Sequence, residues 1–395
     1  MKSLYLFTAK FPYGDIENFL EDELKYLSRV FDKIYIFPQD GELCRKRATP
    51  ENCLVMEPLR PYKSKFLFVL RGILGFRVIK VALKDFFAGK VYLSWKKIRA
   101  WLLSVMLLNN YLSYEKLRNA VRDMQKGDVC YYYWGIGWNS LSTVLKKYAF
   151  QVSRFHGEWD LWEESYNNYV PLRKEVTQSL DRALLISRKG EAYFHERYPE
   201  CRTAFCPLGT EDYGWSPVQR ETGLIRVVSC STVYPLKRVP MIFEVLNTME
   251  EYKIEWTHIG GGQDFENLVN EVKLKRKNHL KVNLVGATSH QEVVSFYRNN
   301  KYDVFLNLSV NEGVPVSIME AASFNIPVVA TNVGATSEVV APEVGYLVSD
   351  NPAISEVQEA IRTVVNGVFS PRQYWENHYY APQNYTALAE LLKNL

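Results

Sequence analysis

The sequence predicts an α/β protein built from two doubly wound domains, each a parallel sheet covered by helices. Three observations predict it. Short apolar strands alternate with stretches of helical periodicity, a turn-rich segment interrupts the pattern near mid-chain, and the alternation then restarts. At roughly 150 residues per domain, a chain of 395 residues suits two domains or slightly more.

The elements of the first half follow in order. Residues 4–7 read as a first strand, closed by a turn at Pro12 and Gly14. Ile16, Phe19, Leu20, Leu24 and Leu27 then fall on one side of a helix. Residues 33–37, 128–133, 151–155 and 183–187 read as further strands. Pro207, Gly209, Gly214 and Pro217 mark the domain boundary, placed after residue 207. Beyond it the strands are 225–230, 255–259, 282–284, 304–308, 328–331 and 345–348, with helical stretches between them. The expected organisation is domain 1–207, domain 208–370 and a tail, 371–395.

Composition narrows the class. Apolar residues make up 47%, too many for a disordered chain. The 26 Tyr and 9 Trp exceed what a core needs and suit flat ligands such as sugar rings or bases. A net charge of +4 gives no whole-chain argument for a polyanion partner. None of the six cysteines has C-x-x-C or zinc-finger spacing, so they read as reduced cytosolic thiols. The N-terminus reads as a strand rather than a signal peptide. The apolar stretch from Phe66 to Leu83 is broken by Arg71, Arg77 and Lys80 and cannot span a bilayer. The expected location is the cytoplasm.

Region 61–118 stands apart. Its lysines and arginines, among them Lys80, Lys84, Lys96, Lys97 and Arg99, are interleaved with Phe86, Phe87, Tyr92, Trp95 and Trp101. One reading is a membrane-surface element; the other is a helix with a solvated basic face packed on its own domain. Nucleic acid is disfavoured because the rest of the chain is not basic.

Three motifs carry chemistry. The first is the block 309–322, Ser-Val-Asn-Glu-Gly-Val-Pro-Val-Ser-Ile-Met-Glu-Ala-Ala, which follows the apolar strand 304–308. A loop there feeds a helix N-terminus at Val316–Ser317, whose unpaired N–H groups suit phosphate. Glu312 precedes that helix and Glu320 lies inside it, so two carboxylates can accept hydroxyls of one ligand. Alone, such a pair is as well read as two solvated glutamates. The second motif ends in Lys237-Arg238 after the strand 225–230, at the carboxyl end of a strand, where open α/β sheets bind ligands. Two cations there could neutralise a diphosphate without metal, and the chain has no Asp-x-Asp pair. Surface charge is the bland reading of a lone Lys-Arg pair. The third is Gly260-Gly261-Gly262, a tight strand-to-helix turn that does not match Gly-x-Gly-x-x-Gly. No P-loop or Gly-x-Ser-x-Gly elbow is present.

Together these motifs resemble the donor-binding half of glycosyltransferase family 4, the retaining enzymes with the GT-B fold. That family shows a basic site after its first C-domain strand, a Gly-rich turn, and Glu-x7-Glu followed by G-x-P-V-V-A-T-x-x-G-x-x-E. Here the last segment runs from Asn325 through Pro327, Thr331 and Gly334 to Glu338, with Asn325 for the usual Gly and Ala335 for the second Gly of a pair. Asn tolerates positive φ nearly as Gly does, whereas Ala335 narrows the room beside the diphosphate. The N-terminal half is similar to bacterial capsular and exopolysaccharide members through Phe11-Pro12 to Glu23 and through Ser153-Arg154-Phe155-His156-Gly157-Glu158-Trp159-Asp160.

The resemblance implies GT-B architecture, two Rossmann-like domains facing across a cleft. It implies a retaining hexosyltransferase of surface polysaccharide biosynthesis that moves a sugar from a nucleoside diphosphate donor, UDP preferred over GDP, without metal. Displacement on one face would let the leaving phosphate help deprotonate the acceptor. Lys237, Arg238, Val316 and Ser317 would hold the diphosphate, Glu320 the ribose and Glu312 sugar hydroxyls. Gly14, Gly261, Gly262 and Gly286 would shape loops near the donor. His156 would lie beside the transferred sugar, against the plainer reading of a structural histidine. The tail would pack on the N-terminal domain. The basic aromatic region suits a lipid-linked acceptor glycan and peripheral contact with anionic membrane. Alternatives are a non-catalytic scaffold that binds nucleotide or glycan, a nucleotide-sugar epimerase, and a glycosyltransferase acting on a soluble small molecule.

Overall fold

A computed structural model describes residues 2–14, 16–41, 46–59, 78–157, 160–166, 168–214 and 221–395. Residues 61–77 of the basic region lie outside these, as do Cys44, Glu158 and Trp159. The described chain forms two units, Met1–Pro207 with Pro382–Leu395, and Leu208–Ala381.

The first unit holds seven strands: β1 Ser3–Thr8, β2 Lys33–Pro38, β3 Cys53–Val55, β4 Val129–Tyr132, β5 Phe150–Phe155, β6 Arg182–Leu185 and β7 Thr203–Phe205. They are ordered β3-β2-β1-β4-β5-β6-β7, and every pairing is parallel. The central strands read as near-continuous apolar runs because helices cover both faces; all four residues of β4 are buried. The sequence pattern missed β3 and β7, three-residue edge strands with no fully buried position. A buried ion pair between Glu23 and Arg154 joins helix Asn18–Val30 to β5. Tyr131 Oη also donates to Glu23, at 2.8 Å, and Arg154 donates to the Cys206 carbonyl at 3.0 Å, so the pair is hydrogen-bonded as burial requires.

The second unit holds β8 Leu224–Cys230, β9 Lys253–Ile259, β10 Leu280–Gly286, β11 Val304–Asn307, β12 Val328–Thr331 and β13 Gly345–Val348. Their order is β10-β9-β8-β11-β12-β13, again all parallel. In both units the strand order reverses beside the first strand, between β1 and β4 and between β8 and β11. Ligands of open parallel sheets bind at the carboxyl ends of strands at such a reversal.

The tail is shared. Helix Pro371–His378 belongs to the second unit and packs on helix Val316–Ser323. Trp375 Nε1 donates to Thr210 Oγ1 at 2.7 Å. Pro382–Leu395 returns to the first unit. Trp375 and Tyr385 are fully buried, so these tail aromatics serve packing.

Helices Ile79–Ala88, Trp95–Ser113 and Glu115–Asp123 form the described part of the basic region. One face packs inward: Ala82, Asp85, Leu108 and Tyr111 are buried, Trp101 Nε1 donates to the Ala82 carbonyl, and Tyr169 Oη donates to Asp85. The other leaves Ile79, Leu83, Phe87, Tyr92, Leu93 and Trp95 exposed. Among the described residues no helix is long and apolar enough to cross a membrane.

Candidate functional site

The Lys237 and Glu312 motifs meet at the β8/β11 reversal. After β8 the chain turns through the short 3-10 segment Pro235–Lys237, and Arg238, in left-handed conformation at φ 46°, starts helix Val239–Asn247. After β11 the loop 308–315 leads into helix Val316–Ser323. A backbone bond from Val310 N–H to the Leu236 carbonyl, 2.7 Å, ties the two loops together.

That junction sets the side chains. Lys237 Nζ donates to Glu312 Oε1 at 2.6 Å. Ser309 Oγ donates to the same oxygen at 2.6 Å and Asn307 Nδ2 at 3.2 Å. All three contacts fall on Oε1, so Oε2 keeps its acceptor capacity among the described residues. The Lys237 and Glu312 side chains are 19% and 11% exposed, shielded enough to strengthen the pair and open enough to admit a ligand. No side chain caps helix Val316–Ser323, which leaves its first-turn N–H groups available for an anion.

Glu320 sits one turn further along. Its Oε1 pairs with His290 Nε2 at 2.8 Å. Arg238 points its donors elsewhere: Nη1 to the Asp350 carbonyl at 2.8 Å and Nη2 to Asn351 Oδ1 at 3.1 Å, in the loop after β13. Burial pushes the Cys230 thiol, at the end of β8, up to about 12, so it is no nucleophile at neutral pH.

Glycines close the floor of this region. Gly334 adopts φ +55°, and a Cβ there would lie 1.7 Å from the Glu312 carbonyl oxygen. Ala335 N–H donates to the Gly313 carbonyl at 3.0 Å, so the segment after β12 braces the Glu312 loop. Gly260 and Gly262 adopt φ +137° and +147°, against the Ser231 and Val233 carbonyls. With Gly261 they stitch the turns after β8 and β9, the structural role their spacing suggests. Gly286, at φ +81°, has only ordinary contact with Phe265. Asn325 takes φ 58°, as a residue replacing Gly must.

His156 belongs to the first unit, after β5. Asp160, fully buried, accepts the His156 and Gly157 N–H groups at 2.7 and 2.9 Å and faces His156 Nδ1 at 3.3 Å. With Nδ1 turned to the carboxylate, Nε2 is buried and has no hydrogen-bond partner among the described residues. The ring packs against Trp134 and Tyr133. Gly14 takes φ +68° with open space where a Cβ would point.

Sequence reasoning did not single out Ser309, Asn307, His290 or Gly334. Ser309 and Gly334 lie within the motifs already quoted, and Asn307 is a polar residue in an otherwise apolar strand. His290 carried no signal, because its partner lies thirty residues on, across a loop.

Comparison with known proteins places the second unit. Residues 217–380 match the family described as Glycosyl transferases group 1. That match covers nearly all of the second unit. Over 105 residues the chain is 31% identical to the O-antigen biosynthesis glycosyltransferase WclY of Escherichia coli, covering 27% of this chain and 28% of that one. Over 155 residues it is 26% identical to one of the human phosphatidylinositol N-acetylglucosaminyltransferase subunits, covering 39% and 31%. The matched stretches thus span less than a third of either relative. Among solved structures, the lipopolysaccharide outer core galactosyltransferase WaaB superposes with TM-score 0.68 at 14% identity, over 100% of both chains. The Anabaena protein HepE in complex with UDP superposes at 0.62 and 14% identity, also over 100% of both. These likenesses show the GT-B fold, two Rossmann-like α/β domains.

Proposed function

We propose that the protein is a retaining glycosyltransferase that moves a sugar from a nucleoside diphosphate sugar to a glycan acceptor in surface polysaccharide biosynthesis. The observation that carries this is the Lys237–Glu312 pair at the β8/β11 reversal, beside an uncapped helix N-terminus. A bound diphosphate would draw the Lys237 ammonium and the N–H groups of Val316 and Ser317, and Glu312 would turn to sugar hydroxyls. Charge developing on the leaving diphosphate would then meet donors already in place. Glu320, with His290, would take the ribose. Arg238 would exchange its loop contacts for phosphate oxygens. His156 would offer Nε2 to the transferred sugar.

UDP is the preferred base; HepE, a fold neighbour, was solved with UDP. The reaction is expected to need no metal, since Lys237 and Arg238 supply two cations for a diphosphate. The acceptor is taken to be lipid-linked at the cytoplasmic membrane face, in keeping with the exposed apolar and basic face of helices Ile79–Ala88 and Trp95–Ser113.

The test is release of UDP from UDP-glucose, UDP-galactose and UDP-N-acetylglucosamine, with and without EDTA. Turnover of one donor, unaffected by EDTA and lost in Lys237→Ala, supports the reading. Turnover of none, with nucleotide still bound, would favour the scaffold alternative.

A further inference from the structure

The first unit contains a cavity of about 700 Å³ that none of the donor chemistry uses. It lies at the carboxyl ends of β1, β2 and β4, the reversal point of that sheet, and its size is that of sites which enclose a small ligand. Helix Trp95–Ser113 lays one face on it: Ala100, Leu103, Ser104, Leu107 and Tyr111 recur at helical spacing. Trp138, Ile136, Val170 and Val176 face them across an interior whose surface is mostly apolar. Such a lining suits a hydrocarbon better than a glycan, which needs many aimed polar groups.

The polar groups that do line it lean positive: Lys10 and Arg173 against Asp40. Arg173 is 3% exposed. Its Nη2 donates to the Asp160 carbonyl at 2.6 Å, but Nη1 is buried with no hydrogen-bond partner among the described residues. Buried guanidinium donors are normally satisfied, and an acceptor brought close by a small rearrangement of the lining would satisfy this one. Leu103 both lines the cavity and is 46% exposed, on the helix that also carries exposed Trp95 and Leu102. The cavity lining and the exposed apolar residues thus share one helix.

We propose that this cavity binds the hydrocarbon chain of an amphiphilic acceptor and that Arg173 and Lys10 hold a phosphate at the chain's end. The proposal rests on the acceptor being lipid-linked, and it adds where the lipid part sits and what charge it carries. Ligand chemistry, one apolar chain ending in a phosphate, is thereby fixed for the first unit independently of the donor.

Farnesyl phosphate is the probe, with farnesol and inorganic phosphate as controls, read by quenching of tryptophan fluorescence from Trp134 and Trp138. The full chain should bind farnesyl phosphate at least tenfold tighter than farnesol and show no saturable response to inorganic phosphate alone. Ser104→Trp, at a half-exposed position, should fill the cavity and weaken farnesyl phosphate at least tenfold. Arg173→Gln should weaken farnesyl phosphate and leave farnesol unchanged. Stabilisation by UDP, followed in each variant by thermal shift, reports separately on folding and on the donor site. Wild-type affinity in a folded Ser104→Trp protein would overturn the cavity assignment, and equal binding of farnesol would overturn the phosphate. Either result leaves the donor reading standing, whereas loss of UDP stabilisation in the wild type with the probe still bound would sink that reading alone.

Discussion

One carboxylate oxygen, Glu312 Oε1, collects an ammonium, a hydroxyl and an amide from three different positions. Such convergence is costly to build for stability alone, since replacing a shielded ion pair with apolar groups is often neutral. Lys237→Ala and Glu312→Ala should therefore each lower turnover by about 10²–10³, with a change in melting temperature of only a few degrees. A parallel collapse of melting temperature would make the pair structural. Gly334→Ala makes the opposite case. A Cβ at 1.7 Å from the Glu312 carbonyl, at φ +55°, forces the brace after β12 to move, and the backbone strain alone costs about 1–3 kcal/mol. Its melting temperature should fall clearly, with activity lost through displacement of the Glu312 loop. At this scale the sequence was legible where polar residues sit in short motifs at strand ends, and the structure brings Lys237 and Glu312 of two such motifs together. It was mute where a partner arrives through the fold. Nothing near His290 in the chain points to Glu320.

Strands and helices show the same division. Long apolar runs such as β8 and β12 announced themselves, whereas β3 and β7 are too short and too half-buried to leave a period. Helix Trp95–Ser113 packs one face on the first unit, as the second reading of the basic region expects, and leaves the other exposed. Vesicles containing anionic lipid should float the protein at low salt, and Trp95→Glu with Leu93→Glu should weaken that binding several-fold; no flotation at low salt would leave the exposed face without a membrane role. Strand β9 supplies a separate handle. His258 is buried against Ser229 Oγ at 2.9 Å, and burial pushes its pKa down from 6.5 to about 4. The unfolded chain takes up this proton near its ordinary value while the folded chain does not, so stability present above pH 6.5 is lost as pH falls towards 4. The loss approaches roughly 3 kcal/mol. Urea midpoints at pH 7.5 and 4.5 should show a steeper drop for the wild type than for His258→Asn, and equal drops would remove His258 from the account.

At the scale of the whole chain, two sheets use the same device. Each reverses strand order beside its first strand. The alternation of strands and helices made the two Rossmann-like domains legible, because a parallel sheet with helices on both faces is what such alternation can build. The bounds of the returning tail were less legible, since Pro371–His378 and Pro382–Leu395 are both amphipathic helices and only contacts divide them. The proposed donor site is tested most directly by thermal shift of the full chain with UDP, GDP, dTDP and ADP, in the wild type and in a Lys237→Ala, Glu320→Ala double variant. UDP should raise the melting temperature of the wild type by several degrees and leave the folded double variant unmoved. Equal stabilisation of both proteins, or none by any nucleotide, would contradict a donor site at the Lys237–Glu312 junction.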